Sequence, residues 1–219
     1  MWIVEFDRRE PVPKQLDWRA NGIVTRPKNQ GMCGNCWAHA SAGAIEGVNA
    51  LKSGVLTEVS VQQLVDCVRS PKYESDGCRG GYVDEAMEWA MAKGLASHAS
   101  YPLTSRGDTG MCKKEESVAY IELYAMVIGE EDLQYALQYG PVVAAVSGMS
   151  KAMQLYASGV ISSSCSIIPD HSVLVVGYDE DSWVVKNSWG TSWGEAGFFR
   201  LKRGKNMCGI ASHMIMALD

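Results

Sequence analysis

The stretch Gln30-Gly31-Met32-Cys33-Gly34-Asn35-Cys36-Trp37 places a cysteine where a glycine-containing loop meets a predicted helix. From Trp37 to Leu51, small and apolar residues recur without a proline, and Gly54 follows them, so we predict a helix that begins at about Cys36. The first N–H groups of a helix have no partner within it, and the helix dipole is positive there. Both effects stabilise a thiolate, which makes Cys36 a candidate nucleophile.

A cysteine nucleophile needs a base within hydrogen-bond reach and a third group that orients this base. His171 and Asn187 follow Cys36 by 135 and 151 residues. Taken singly, His171 fits a core histidine and Asn187 a turn residue. Taken together, the three side chains supply a nucleophile, an acid/base and an orienting group, and the sequence therefore predicts a site for nucleophilic catalysis.

Helical patterns dominate the first half of the chain and strand patterns the second. Ser60 and Gln63 resemble a capping box ahead of a short helix that ends near Cys67, and a third helix is predicted over 83–93. After about residue 128, a short helix around 131–138 precedes predicted strands at 142–146, 172–176, 183–186 and 197–201. Glycines punctuate these strands as antiparallel turns require. The pattern indicates an α+β fold.

The composition is that of a globular chain, with 47% hydrophobic residues in a length of 219, enough for one large domain or two small lobes. The formal net charge of −5 and the lack of a basic run argue against a nucleic-acid partner. No apolar stretch approaches the ~20 residues of a membrane span, and residues 1–10 lack the apolar run of a signal peptide. We expect neither a nucleic acid nor a membrane as partner.

Seven cysteines, at positions 33, 36, 67, 78, 112, 165 and 208, are many for a reducing cytosol. They favour an oxidising compartment. The odd number leaves at least one thiol free if the others form bridges, and the sequence by itself leaves the connectivity open.

The motifs and their order resemble those of the papain-like, cathepsin L-type cysteine proteases, in which His and Asn follow Cys by about 130–150 residues. The resemblance runs over nearly the whole chain from about Val12. It comprises Leu16-Asp17-Trp18-Arg19, Gln30 to Trp37, Gln63-Leu64-Val65-Asp66-Cys67, Gly77-Cys78-Arg79-Gly80-Gly81, Gly140-Pro141-Val142, Asp170-His171, Asn187-Ser188-Trp189-Gly190-Thr191-Ser192-Trp193-Gly194 and Cys208-Gly209-Ile210-Ala211.

This resemblance implies a papain-like fold of two lobes with the active-site cleft between them. A helical lobe, 21–124, would carry Cys36, and a lobe resembling an antiparallel β-barrel, 12–20 with 125–219, would carry His171 and Asn187. Residues 1–11 would be a propeptide remnant or an added extension. The implied disulfides are Cys33–Cys78, Cys67–Cys112 and Cys165–Cys208.

The activity that the resemblance implies is that of an endopeptidase working through a thioester. Cys36 would attack the peptide carbonyl, and His171 would act as its acid/base. The Gln30 side chain and the Cys36 N–H would hold the oxyanion, Asn187 would orient His171, and Trp189 would cover their bond.

Substrate backbone would pair with Gly80 and Gly81, beside Asp170 and Trp189. An apolar pocket would select the residue two before the scissile bond. His213 at the far end of this pocket would add a pH-dependent preference for polar groups. Its walls would be Tyr82, Val83, Ala145 and Pro169. No cofactor is expected. The expected partners are polypeptide substrates, an inhibitory propeptide and cystatin-type inhibitors, and we expect a monomer in a lysosome-like acidic compartment or outside the cell.

Other interpretations of the same residues remain. Cys33, Cys36 and His39 mimic a metal clip or a redox C-x-x-C, but a structural zinc needs four ligands, and the implied pairing of Cys33 with Cys78 removes one. We expect no metal site.

Asn35 and His39 depart from the family pattern, and His39 is best explained as a histidine satisfied by packing or solvent. An exopeptidase shaped by a separate propeptide fragment, and a non-enzymatic binding protein on the same fold, are the two alternative functions.

Overall fold

The computed structural model describes residues 2–104 and 108–219. The helices are α1 (Cys36–Ser53), α2 (Val61–Cys67), α3 (Val83–Lys93), α4 (Gly129–Ala136) and α5 (Lys151–Gln154). The strands are β1 (Trp2–Ile3), β2 (Leu16–Asp17), β3 (Leu95–Ala96), β4 (Ser117–Ala119), β5 (Leu123–Val127), β6 (Val142–Val146), β7 (Val160–Ile161), β8 (His171–Tyr178), β9 (Ser182–Lys186), β10 (Phe198–Lys202) and β11 (Met214–Leu218).

Helix α1 is the central helix, and its small residues explain its close packing. It begins at Cys36 as the sequence predicts, and Gly54 ends it with a left-handed φ of 74° that a residue without Cβ adopts freely. A Cβ atom at Gly43 would lie 2.7 Å from the Leu174 side chain, and one at Gly47 would lie 2.7 Å from Pro141. Glycine at both positions therefore lets the helix lie directly against β6 and β8.

The second and third helices also match the prediction. Ser60 accepts a hydrogen bond from the Gln63 N–H at 2.9 Å, which caps α2. The reciprocal half of the expected capping box is absent, because the Gln63 side chain accepts from the Ala96 N–H and the Ser60 N–H donates to the Ala96 carbonyl. Helix α4 begins two residues earlier than predicted, at Gly129.

A nine-stranded sheet is formed mainly by the second half of the described chain, and β1 and β2 join it from the first 17 residues. Its order is β1-β5-β11-β6-β8-β9-β10-β7, and β2 pairs with β8. Pairing is antiparallel except at the two ends, where β1 with β5 and β7 with β10 are parallel. The four predicted strands correspond to β6, β8, β9 and β10. Strands β5 and β11 were not predicted, although they pair with each other over five residues.

Two main hydrophobic cores lie on either side of the site. One joins α1, α2 and α3, with Trp37, Leu64 and Met87 fully buried, and the other fills the β-rich part around Leu133, Phe199 and Met214. Residues of β6, β8 and β9 contribute to both. The site described below lies where α1 meets these strands.

Three disulfides form in the pairing that the resemblance implies: Cys33–Cys78, Cys67–Cys112 and Cys165–Cys208. Cys36 is the free cysteine. Because Cys33 is bridged, it is not available for the metal clip or redox pair considered above.

Residues 2–11 lie on the β-rich part. Strand β1 pairs with β5, the Phe6 ring stacks on Tyr135 at 6.0 Å, and Arg8 forms ion pairs with Glu131 and Asp132. In the described ranges, no helix has the length and apolar character to span a membrane.

Candidate active site

Cys36 is the first residue of α1, at the end of the loop that the Cys33–Cys78 bridge fixes. The N–H groups of Ala38 and His39 both donate to the Asn35 carbonyl, so the helical hydrogen bonds begin after Trp37. The N–H groups of Cys36 and Trp37 precede them and are free to face the thiol and a bound ligand.

Burial alone raises the pKa of the Cys36 thiol. The hydrogen bond and the charge of His171 act in the opposite direction, as do the N–H groups of Ser172 and Trp37, and together they bring the pKa below its ordinary value of 9.0. A half-buried thiol beside a cation at a helix N-terminus is in the environment that favours a thiolate.

His171 is the first residue of β8 and pairs with Val146 of β6. Burial lowers the pKa of the imidazole, but the hydrogen bond and charge of Cys36, with smaller contributions from Asn187 and Asp170, raise it above 6.5. Gly148 lies against the ring's stem, and a Cβ there would approach the His171 Cβ to 2.6 Å. The absence of a side chain at position 148 therefore leaves the space that the His171 side chain occupies.

The other side of the His171 ring is held by two neighbours. Its Nε2 lies 2.8 Å from the Asn187 Oδ1, which also accepts from the Ser188 N–H at 2.8 Å. The Trp189 ring stacks on the imidazole with centroids 4.9 Å apart, and Trp193 packs edge-on against Trp189, also at 4.9 Å. Asn187 is 3% exposed, so water does not compete for its bond to His171.

Gln30 is anchored at both ends of its side-chain amide. Its Nε2 donates to the Cys33 carbonyl at 2.9 Å, and its Oε1 accepts from the Ser188 hydroxyl. An amide NH₂ carries two donors, so one N–H remains for a ligand in the cleft beside Cys36.

A cleft of about 920 Å³ surrounds these groups. Of the predicted site residues, it is lined by Gln30, Cys36, Gly80, Gly81, Tyr82, Ala145, Pro169, Asp170, His171, Trp189 and His213. Asn187 lies behind His171. Val83 is 6% exposed at the start of α3 and is not among the lining residues.

Sequence reasoning missed six lining side chains: Asn29, Trp37, Arg79, Met149, Gln154 and Ser172. Arg79 pairs with Asp76, while Met149 and Gln154 come from the turn and short helix after β6. The position of Arg79 next to Gly80 was a signal that could have found it. Met149 and Gln154 carry no local motif.

The comparison with family models identifies the chain. The model of the "Papain family cysteine protease" matches residues 12–218. This chain belongs to the papain family of cysteine proteases. The predicted family and the α+β, papain-like fold are confirmed, and the chain is classed with the cysteine-type peptidases.

Three papain-family proteins illustrate the similarity. The Arabidopsis thaliana "Probable cysteine protease RDL2" is 40% identical over 94% of this chain, which spans 60% of that relative's length. The Carica candamarcensis cysteine protease CMS1MS2, solved in complex with E-64, is 35% identical with a TM-score of 0.89, covering 95% of this chain and 99% of that one. The Amb a 11 protease from ragweed (Ambrosia artemisiifolia), solved in its proform, is 37% identical with a TM-score of 0.90, covering 96% and 66%.

Proposed function

We propose that this papain-family chain is a cysteine endopeptidase that hydrolyses peptide bonds through Cys36, His171 and Asn187. The observation that carries the proposal is the contact between a free thiol at a helix N-terminus and a buried imidazole, both of which line the cleft. Their opposed pKa shifts favour a thiolate–imidazolium pair, which is an activated nucleophile with its acid already in place.

In the proposed mechanism the Cys36 thiolate attacks the peptide carbonyl. The oxyanion accepts hydrogen bonds from the Cys36 N–H and from the remaining Gln30 N–H, and the His171 imidazolium protonates the leaving amine. Water then attacks the thioester with His171 as its base, which releases the acid and restores the thiolate. Asn187 keeps the imidazole in the required orientation, and Trp189 shields their hydrogen bond from solvent.

The wall of the cleft suggests which substrates fit. Gly80 and Gly81 would receive the substrate backbone, beside Asp170 and Trp189. Tyr82, Ala145 and Pro169 would form an apolar pocket for the residue two before the scissile bond, with Val83 buried behind them and His213 exposed at its far end. Apolar side chains such as Leu, Val or Phe are the expected choice.

The test is cleavage of fluorogenic dipeptides with Phe or Leu before Arg, in mildly acidic buffer with reductant. We expect hydrolysis that a thiol-directed epoxide abolishes by labelling Cys36, and peptide mass mapping locates the label.

The role of His213 needs a separate experiment, a peptide library that varies the residue two before the scissile bond, run at about pH 5 and about pH 7.5. An unchanged preference between the two pH values would exclude a role for His213. Folded protein that cleaves no peptide would favour the non-enzymatic binding protein. Release of single terminal residues would favour the exopeptidase.

The pH dependence follows from the two pKa shifts. The thiolate forms as pH rises through the lowered pKa of Cys36, and the imidazolium is lost as pH rises through the raised pKa of His171. We therefore expect a bell-shaped profile of kcat/KM whose alkaline limb lies above pH 6.5. An alkaline limb below that value would contradict the proposed pair.

The setting of the enzyme is proposed on the same family basis. Three disulfides fit an oxidising location, a lysosome-like acidic compartment or the exterior. Polypeptide substrates, an inhibitory propeptide and cystatin-type inhibitors would be partners of a monomer. We propose 21–124 as the helical lobe, 12–20 with 125–219 as the β-rich lobe, and 1–11 as a propeptide remnant or extension.

A further inference from the structure

A small polar cavity lies behind the active site, between α1 and strands β8 and β9. Its volume is about 20 Å³, enough for one water molecule. The side chains that matter for its chemistry are Lys28, His39, Glu46, Lys186 and Asn187. It is separate from the substrate cleft, and it borders the orienting residue of the proposed site.

Two buried nitrogen atoms of this lining have no hydrogen-bond partner among the described residues: the His39 Nε2 and the Asn187 Nδ2. The Asn187 amide is the group whose other end accepts from His171. Buried polar groups without a partner are rare in native proteins and often mark an ordered water. The cavity and the two unpartnered atoms are independent observations that point to the same ligand.

Burial, together with the positive charges around the cavity, keeps His39 neutral. Burial, reinforced by Lys28, Lys186 and His171, lowers the pKa of His39 to about 3. A neutral imidazole has one nitrogen that accepts a hydrogen bond, whereas an imidazolium has none. His39 can therefore act as an acceptor throughout the working pH range.

The same charges argue against a metal ion. Lys28 lies 3.4 Å from the Glu46 carboxylate, and Lys186 donates to the Thr25 hydroxyl at 2.8 Å. Glu46 also accepts from Thr25 and from the Val59 N–H, while Glu58 lies 3.8 Å from Lys28. Two ammonium groups repel a cation, and the carboxylate nearest to them is already paired.

We propose that the cavity holds one ordered water, which accepts a hydrogen bond from the Asn187 Nδ2 and donates one to the His39 Nε2. His39 is then a positioning residue: it fixes the Asn187 amide with its carbonyl toward His171. A rotated amide would present its NH₂ to the Nε2–H of the imidazolium, two donors facing each other. The inference rests on the proposed function, because it acts through Asn187 and His171.

The first test is a crystal structure of the wild-type protein at a resolution that shows ordered water. We expect a single water within hydrogen-bond distance of both nitrogens. An empty cavity, or a His39 ring turned away from it, overturns the proposal whether or not the protein is an active peptidase.

The second test compares His39→Leu, which removes the acceptor, with His39→Gln, which keeps one. Active sites are counted by epoxide titration. We expect His39→Leu to lower kcat about fivefold, the value of one typical hydrogen bond, with KM unchanged and the alkaline limb moved to lower pH. His39→Gln should restore both values to near wild type.

His98→Leu is the matched control, because His98 also has an unpartnered buried nitrogen but does not line the cavity. It should leave the pH profile unchanged. A His39→Leu variant with wild-type kcat and pH profile would overturn the positioning role while leaving the proposed function intact. An inactive wild type would instead refute the proposed function.

Discussion

Replacing Cys36 by alanine should lower kcat/KM by about 10⁴- to 10⁶-fold, the scale on which removal of a nucleophile acts in hydrolases of this kind. The variant loses the thiolate, so no thioester forms, and the cleft can only bind the substrate. Cys36 is the single free cysteine of the described chain, so no other thiol can replace it. The measurement is the initial rate on a fluorogenic dipeptide, normalised to folded protein by circular dichroism.

Two controls make this result specific. The variant should melt within a few degrees of the wild type, because the change removes one half-buried sulfur atom from the lining of the cleft and leaves the three bridges in place. Cys36→Ser keeps a hydroxyl of similar size and should be almost as inactive. Activity above about one hundredth of the wild type in purified Cys36→Ala would exclude Cys36 as the nucleophile.

The second large effect is expected at Gln30. The change Gln30→Ala removes one proposed oxyanion donor and should lower kcat about 10²- to 10³-fold while KM changes little, because the donor acts on charge that develops only in the transition state. The Gln30 amide is held by the Cys33 carbonyl and the Ser188 hydroxyl, so its direction is fixed before substrate binds. Steady-state kinetics separates the two parameters.

Gln138 provides the matched control for this experiment. Its side-chain amide is likewise held by two hydrogen bonds, both donated by its Nε2, to the Gln134 carbonyl and the Tyr178 hydroxyl, and it does not line the cleft. Gln138→Ala should leave kcat unchanged at equal folded concentration. If Gln30→Ala raised KM without lowering kcat, Gln30 would be a substrate-binding residue rather than a stabiliser of the transition state.

The sequence was informative where a pattern is local. Helices α1 and α3 have clear ends, a glycine at position 54 or 94, and β6 is an unbroken apolar run, so their bounds were predicted closely. Strands β5 and β11 were not predicted, because they pair with each other across some ninety residues of sequence. Short apolar runs do not by themselves distinguish a strand from a helix. The start of α4 also differs from the prediction because contacts between distant parts of the chain help to set it.

The candidate site divides in the same way. Cys36, His171, Asn187 and Gln30 lie in motifs that can be recognised along the chain. The cavity residues Lys28, His39 and Lys186 come from a loop, a helix and a strand, and only folding brings them to one space. Glu46 was the available signal, a lone acid within the small and apolar residues of α1 that must find cationic partners when buried.

The pairing of six cysteines in three bridges has a practical consequence for handling the protein. Each folded molecule carries one free thiol, that of Cys36, which lines the cleft. A disulfide-activated resin should therefore retain only molecules in which the Cys36 thiol is unoxidised, and a mild reductant should release them. Protein oxidised at this sulfur would not bind to the resin. A single column step should therefore yield a preparation of uniform specific activity, in which each chain reacts with one molecule of the epoxide probe.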